Sequence, residues 1–322
     1  MSFRNFSLKL FLFLGILFII SASNVYAASP SSILVDVIPT NPKPYEDVTI
    51  TINSYANNLD SVGINWSVDG NTKASGIGKK SFMLKAGGVG SQNRVTITIS
   101  LPEGVIEKNI TIRPSVMTLF WQATDSYVPP FYKGKAMPTL DSEIKIVAMP
   151  EIGNPKNMTY FWKKDYTNDQ DASGYGKNSY LYVNDYLEDY NNVSVVASTI
   201  DQKYSSEANI DVGTIDSKIL FYKNDPKLGT IFEKEIVTPY RITEKEIIIA
   251  VPYFISPKQI NHPSLIWNWS INDNSVDVLS FKPNEMPLQI QSGTSGTSRL
   301  KLTIENMDRI FQTDSKELSI EF

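Results

Sequence analysis

The chain has no cysteine and one histidine among its 322 residues. The first absence excludes disulfides, thiolate metal sites, thiol nucleophiles and haem attachment through Cys. Domains without disulfides must be stable on packing alone. The second absence excludes a multi-histidine metal site within one chain. Basic runs are missing too, because no stretch of Lys or Arg is longer than two. Beyond the N-terminus, no segment approaches the ~18 apolar residues that a membrane-spanning helix needs.

The N-terminus is different. Arg4 and Lys9 flank a short polar start, and Leu8–Ile20 is almost wholly apolar. Val25-Tyr26-Ala27 then places small or aliphatic residues at the −3 and −1 positions of a cut after Ala27. These are the three parts of a secretory signal, expected over residues 1–27. The apolar stretch spans roughly 20 Å as a helix, short of the ~30 Å hydrocarbon core, which argues against an uncleaved anchor. Cleavage leaves 28 basic against 34 acidic residues, a net charge of −6. That balance suits solubility and argues against nucleic acid as a partner.

The mature chain repeats itself. KASGIGKKSF at Lys73–Phe82 returns as DASGYGKNSY at Asp171–Tyr180. Upstream of each lies a period-two segment around a Trp: Val62–Gly70, Met158–Tyr166 and, in a third copy, Leu265–Asp273. Trp66, Trp162 and Trp269 align, at spacings of 96 and 107 residues. Further upstream, Val48–Ile52, Ile144–Pro150 and Ile247–Pro252 are β-branched and apolar, as buried strands should be. Each unit ends in a hairpin: Arg94–Ser100 with Val105–Ile112, Val193–Ser198 with Ala208–Val212, and Arg299–Glu305 with Lys316–Phe322.

Short strands at fixed spacing with turn signals between them predict β-sandwiches, and fixed-period similarity predicts an array. The expected fold is all-β: three tandem immunoglobulin-like sandwiches, 28–114, 115–213 and 214–322, after the signal peptide. The connector Ile112-Arg113-Pro114 is short, so a semi-rigid array is expected.

The repeated phrase reads as a turn between strands, its glycines supplying positive φ or close backbone approach. A phosphate loop requires G-x-x-x-x-G-K-[ST] followed by a helix; here the spacing differs and a strand follows. The third copy lacks the phrase, and Val278–Gln291 occupies that region. Trp66, Trp162 and Trp269 are expected in the cores, with a ligand platform as the competing role. Trp267 is two residues from Trp269 and shares its face.

The Trp strands W-S-V-D-G and W-K-K-D-Y, each between a β-branched strand and a terminal hairpin, resemble bacterial extracellular immunoglobulin-like and PKD-like modules. The F-G-D-G of PKD modules is absent, with Asp69-Gly70 as a remnant. SYVPPFYKGKAMP (Ser126–Pro138), the SGYGKNS phrase and the closing ELSIEF are similar to exported proteins of uncultivated, small-genome bacteria. That resemblance covers most of the mature chain and implies no activity.

Candidate chemistry is sparse. Asp169, Asp171 and Ser173 fit the first half of a calcium loop, but Tyr180 stands where the distal bidentate Glu belongs and Lys177 intrudes. A solvated turn is the competing reading, and no cofactor or metal is assigned. A Ser-His-Asp triad would have to use His262, beside Pro263 and away from any nucleophile elbow. Tyr127, Phe131 and Tyr132 sit in the rigid aromatic stretch Tyr127–Gly134. That stretch reads either as an exposed recognition strip or as packing against a neighbouring domain. The sequons Asn65-Trp66-Ser67 and Asn268-Trp269-Ser270 overlap the Trp strands and read as chance.

The expected function is non-enzymatic: an exported scaffold, spacer or adhesion module in the periplasm, at the cell surface or outside the cell. Its partner is an envelope or surface protein or a polysaccharide, and no transmembrane segment follows the signal. The rival is a ligand-binding protein holding carbohydrate or calcium at an edge or domain junction. A hydrolase is the remote third class.

Overall fold

The computed structural model describes residues 32–151 and 154–322, so the signal segment 1–27 lies outside the described residues. The chain is all-β and forms three sandwiches in tandem. Strands β1 (Ile33–Ile38), β2 (Asp47–Ser54), β3 (Gly63–Val68), β4 (Asn71–Ile77), β5 (Ser81–Lys85), β6 (Asn93–Leu101) and β7 (Gly104–Ile112) build the first. Its sheets are β1-β2-β5 and β4-β3-β6-β7. Alternation decides the faces: Val48, Ile50 and Ile52 of β2 and Val95, Ile97 and Ile99 of β6 are fully buried, while the threonines between them face outward.

The second sandwich repeats this order. It consists of β8 (Met117–Ala123), β9 (Glu143–Pro150), β10 (Met158–Lys164), β11 (Thr167–Tyr175), β12 (Ser179–Val183), β13 (Tyr190–Thr199) and β14 (Ser205–Gly213). Its sheets are β12-β9-β8 and β11-β10-β13-β14.

The third is larger. It comprises β15 (Lys218–Asp225), β16 (Gly229–Ile231), β17 (Tyr240–Arg241), β18 (Lys245–Tyr253), β19 (Leu265–Ile271), β20 (Asn274–Val276), β21 (Glu285–Gln289), β22 (Thr297–Asn306) and β23 (Thr313–Glu321). The sheets are β16-β15-β18-β21 and β17-β23-β22-β19-β20. The two extra short strands lie in the connection between β15 and β18, and β17 runs parallel to β23 and covers its edge. Trp267 packs against this core, its indole N–H donating to the Ile260 carbonyl at 3.2 Å.

A constant-type immunoglobulin domain places four strands on its first sheet and three on the other. In the first two sandwiches the fourth strand instead joins the Trp strand, which gives three and four. The hairpin from the Trp strand into this fourth strand turns on two residues of positive φ: Asp69 and Gly70 (50° and 81°), Asp165 and Tyr166 (48° and 66°), and Asn272 and Asp273 (47° and 67°). Two such residues in succession make a type I′ turn, whose twist matches that of the flanking strands. The Asp69-Gly70 pair is therefore a hairpin turn.

The chain divides into two compact units, one ending at Ser115 and the other spanning Val116–Phe322. The second and third sandwiches thus form one body. A core cluster fills each of the three sandwiches, and a fourth lies where the second meets the third.

Candidate functional site: the repeated crossover and the aromatic junction

The three Trp side chains occupy equivalent places. Trp66 and Trp162 are 0% exposed and Trp269 is 2% exposed. Each stacks on an aromatic ring of the opposite sheet: Trp66 on Phe82 at 5.4 Å, Trp162 on Tyr180 at 5.5 Å and Trp269 on Phe221 at 5.8 Å. A buried indole N–H requires an acceptor. The repeated phrase supplies it, because Trp66 donates to the Lys79 carbonyl at 2.8 Å and Trp162 to the Lys177 carbonyl at 2.9 Å.

The phrase differs from the turn read in the sequence. Lys73–Ile77 belongs to β4, and only Gly78-Lys79-Lys80 forms the passage to β5 on the other sheet. In the second copy Asp171–Tyr175 belongs to β11, and Gly176-Lys177-Asn178 makes the passage. Gly78 has φ of 65°, and a Cβ there would stand 2.8 Å from the Asp60 carbonyl oxygen. Backbone must come this close because Gly78 N–H bonds the Val62 carbonyl at 3.0 Å, as Gly176 N–H bonds that of Met158 at 2.8 Å. The third copy has lost the letters and kept the bond: Trp269 donates to the Pro283 carbonyl at 2.8 Å. Lys79, Lys177 and Pro283 each stand two residues before the strand that follows. A backbone carbonyl belongs to every residue type, so the sequence between Val278 and Gln291 was free to diverge.

The I′ turn is tied down by its first side chain. Asp69 Oδ1 accepts from Arg94 N–H, Asp165 Oδ1 from Asn192 N–H and Asn272 Oδ1 from Arg299 N–H, each at 2.8 Å. Asp165 also accepts from Lys164 Nζ at 2.7 Å and from Asn191 Nδ2 at 3.2 Å. Burial raises its pKa, but these donors outweigh burial and hold the carboxyl below its ordinary value. A carboxyl depressed in the folded state contributes stability above its unfolded pKa, about 3.9, and loses it as pH falls through the folded value. Asp165→Asn keeps an acceptor for Asn192 and removes the charge. Its melting temperature should therefore fall below wild type at pH 7, and the gap should close on acidification below about pH 4. A gap that is constant with pH would show that the charge plays no part.

Asp169, Asp171 and Ser173 lie inside β11, in an irregular stretch where the register to β10 shifts between Tyr160 and Trp162. A bulged strand thus replaces the turn of the sequence reading. Asp169 Oδ1 accepts from Ala172 N–H at 2.9 Å, and Ser173 Oγ accepts from Trp162 N–H at 2.9 Å while donating to the Asp169 carbonyl. Asp169 Oδ1 and Ser173 Oγ thus hold the bulge. Lys177 Nζ donates to the Asp171 carbonyl. His262 Nδ1 lies 2.8 Å from Ser264 Oγ and accepts from Ser264 N–H at 3.3 Å, a local turn two residues long.

Tyr127, Phe131 and Tyr132 lie in the loop between β8 and β9, which crosses onto the third sandwich. Tyr127 N–H bonds the Ile255 carbonyl at 2.7 Å, and Phe254 N–H bonds the Tyr127 carbonyl at 2.8 Å. Tyr132 sets its ring edge-on to Tyr253 and Phe254 at 6.0 and 5.7 Å. Phe131 packs on Phe232 at 4.2 Å and is 38% exposed. The outer face of β15 and β18 lies beneath this loop, with Tyr222, Ile249, Val251 and Tyr253 buried. Burial raises the Tyr127 hydroxyl pKa. It raises that of Tyr253 further, where the Tyr222 hydroxyl at 3.0 Å adds to the effect.

Polar side chains complete the junction. Gln312 Nε2 donates to the Leu140 carbonyl at 2.7 Å, and its Oε1 accepts from Ser256 N–H at 2.8 Å. Thr139 Oγ1 donates to the Phe254 carbonyl at 3.1 Å, and Arg309 pairs with Asp125 at 2.7 Å. Gln312 and Asn306, both nearly fully buried, carry no sequence signal. A signal for the covered face does exist: β18 is apolar at successive positions, which marks a strand buried on both sides.

The class that this fold defines is a tandem array of immunoglobulin-like β-sandwiches. No protein-family model matches the chain, and no curated protein matches its sequence. Among solved structures it is similar to the central fibronectin-III array of RIM-binding protein, with 10% identity, a TM-score of 0.32 and coverage of 92% of this chain and 98% of that one. It is also similar to the three N-terminal domains of the bacteriophage RB49 highly immunogenic outer capsid protein (Hoc), with 7% identity, a TM-score of 0.27 and coverage of 90% and 98%. The Clostridium thermocellum CbhA fibronectin(III)-like modules share 13% identity at a TM-score of 0.29, over 56% of this chain and 94% of theirs.

Proposed function

We propose that this chain is an exported, non-enzymatic scaffold or spacer of the cell envelope or cell surface. Its domains are 28–114, 115–213 and 214–322 after a cleaved signal at 1–27. Its partner is an envelope or surface protein or a polysaccharide. The observation that carries this reading is the junction between the second and third sandwiches. A loop of nineteen residues (124–142) leaves one sandwich and covers the outer face of β15 and β18 in the next. Interfaces between domains of one chain are ordinarily polar and permit motion. An apolar, multiply hydrogen-bonded junction instead holds two sandwiches at one spacing, which a spacer requires and an independent binding module does not. The apolar stretch Leu8–Ile20 and Val25-Tyr26-Ala27 support export. The test is expression in the native host with cell fractionation. The protein should be recovered outside the cytoplasm with Ala28 as its first residue, and protease applied to cells with the outer barrier opened should degrade it. Recovery of Met1-initiated protein in the cytoplasm overturns the reading.

A further inference from the structure

The junction also holds a cavity of roughly 320 Å³. One wall comes from the end of β8 and the loop after it, and the opposite wall from Lys258 of the third sandwich. Its apolar surface is Ala123, Val128 and Ala136, with Tyr127 beside them. Three polar side chains border it: Gln122, Ser126 and Lys258. Ser126 is 1% exposed, and its hydroxyl has no hydrogen-bond partner among the described residues. A buried hydroxyl left unpaired is costly and calls for a partner.

The cavity also has a cationic side. Lys145 stands directly opposite Gln122 in the pairing of β8 with β9. Lys135 lies 3.7 Å over the ring of Trp121, which packs against the core of the second sandwich on the other face of β8 from Gln122. Among the described residues, no carboxylate is ion-paired with Lys135, Lys145 or Lys258. The nearby Asp125 is already paired with Arg309. Lys258 thus brings an ammonium group without an ion-pair partner to the cavity wall, and Lys145 stands on the strand beside Gln122.

We propose that this cavity binds one sugar of an acidic, uronate-containing glycan. The chemistry matches part by part. Lys258 meets the carboxylate, Gln122 and Ser126 meet ring hydroxyls, and the Tyr127 ring meets the apolar face of the sugar. Lys145, directly opposite Gln122 on the neighbouring strand, meets the carboxylate of a neighbouring sugar. The volume suits a single pyranose ring, at the lower end of ordinary ligand sites. Nucleic acid fits less well, since its backbone needs a continuous basic track with aromatic platforms. The proposal goes beyond the spacer reading and does not depend on it.

The test is calorimetric titration of the full chain with hexagalacturonate, its methyl ester and maltohexaose. Binding should be seen for the acid and weaken at least tenfold for the ester and the neutral sugar. Gln122→Leu and Lys258→Met, both at exposed side chains, should each weaken it at least tenfold without moving the melting temperature. Lys108→Met in the first sandwich should leave it unchanged. No binding of the acid overturns the proposal. So does binding that both cavity variants leave intact, or equal binding of single-stranded DNA, since either marks a general polyanion effect. Cytoplasmic recovery of the protein would overturn the export reading and leave this result standing.

Discussion

Trp162→Ala should leave the second sandwich close to unfolding at 37 °C. The ring is fully buried, stacks on Tyr180 and donates its N–H to the Lys177 carbonyl. Truncating a core Trp costs about 3–5 kcal/mol, and a domain has about 5–15 kcal/mol in total. The variant also removes the donor to the Lys177 carbonyl. With no cysteine in the chain, no covalent link limits the loss. Damage should spread in one direction. The loop 124–142 belongs to the second sandwich and covers the outer face of β15 and β18. Limited proteolysis should therefore cut first between Ser115 and Gly213 and then in the third sandwich, while the first sandwich survives. Trp66→Ala is the converse, and calorimetry should show a lowered transition for the first unit beside an unmoved one for 116–322. Wild-type melting of Trp162→Ala would show that the second core does not depend on its Trp.

Arg309→Met should destabilise the junction by about 2–3 kcal/mol, between the values for exposed and fully buried ion pairs. Arg309 and Asp125 keep only 26% and 17% of their side-chain surface exposed, and they join the second sandwich to the third. The pair is incompletely satisfied, since Arg309 Nη1 and Asp125 Oδ1 have no partner among the described residues. Removing the guanidinium leaves the carboxylate half-buried and unopposed. The double variant Asp125→Asn/Arg309→Met should recover part of the loss. It removes the unopposed charge, while the amide oxygen of Asp125→Asn can still accept from Glu143 N–H, which bonds Asp125 Oδ2 at 3.0 Å. Urea unfolding of the two single variants and the double variant measures this as a coupling energy. Additive losses would mean that the two side chains act independently.

The fold was legible for a physical reason. Period-two alternation makes a strand commit one face to the core, and Val48–Ile52, Arg94–Ser100 and the Trp strands show it without interference. Each is found as a strand: within β2, within β6, and as β3, β10 and β19. The repeat spacing then announced an array. The phrase around Gly76 and Gly174 was legible as a repeat but not as half strand, half passage. Polar, glycine-containing strands such as β4 and β11 lack an apolar face, and only their pairing with the Trp strand defines them.

By itself, then, the sequence determined the class of fold, the number of sandwiches and the side chains around which each is built, because these depend on local periodicity and on burial of the largest rings. Tertiary structure alone decided which backbone carbonyl each indole meets. It also decided that the Tyr127–Gly134 strip lies on the third sandwich, and that Gln312 and Arg309 reach across to Leu140 and Asp125. Residues 172 positions apart, such as Leu140 and Gln312, share no local pattern. Their contact exists only once two separately folded sandwiches bring a loop of one against a sheet of the other.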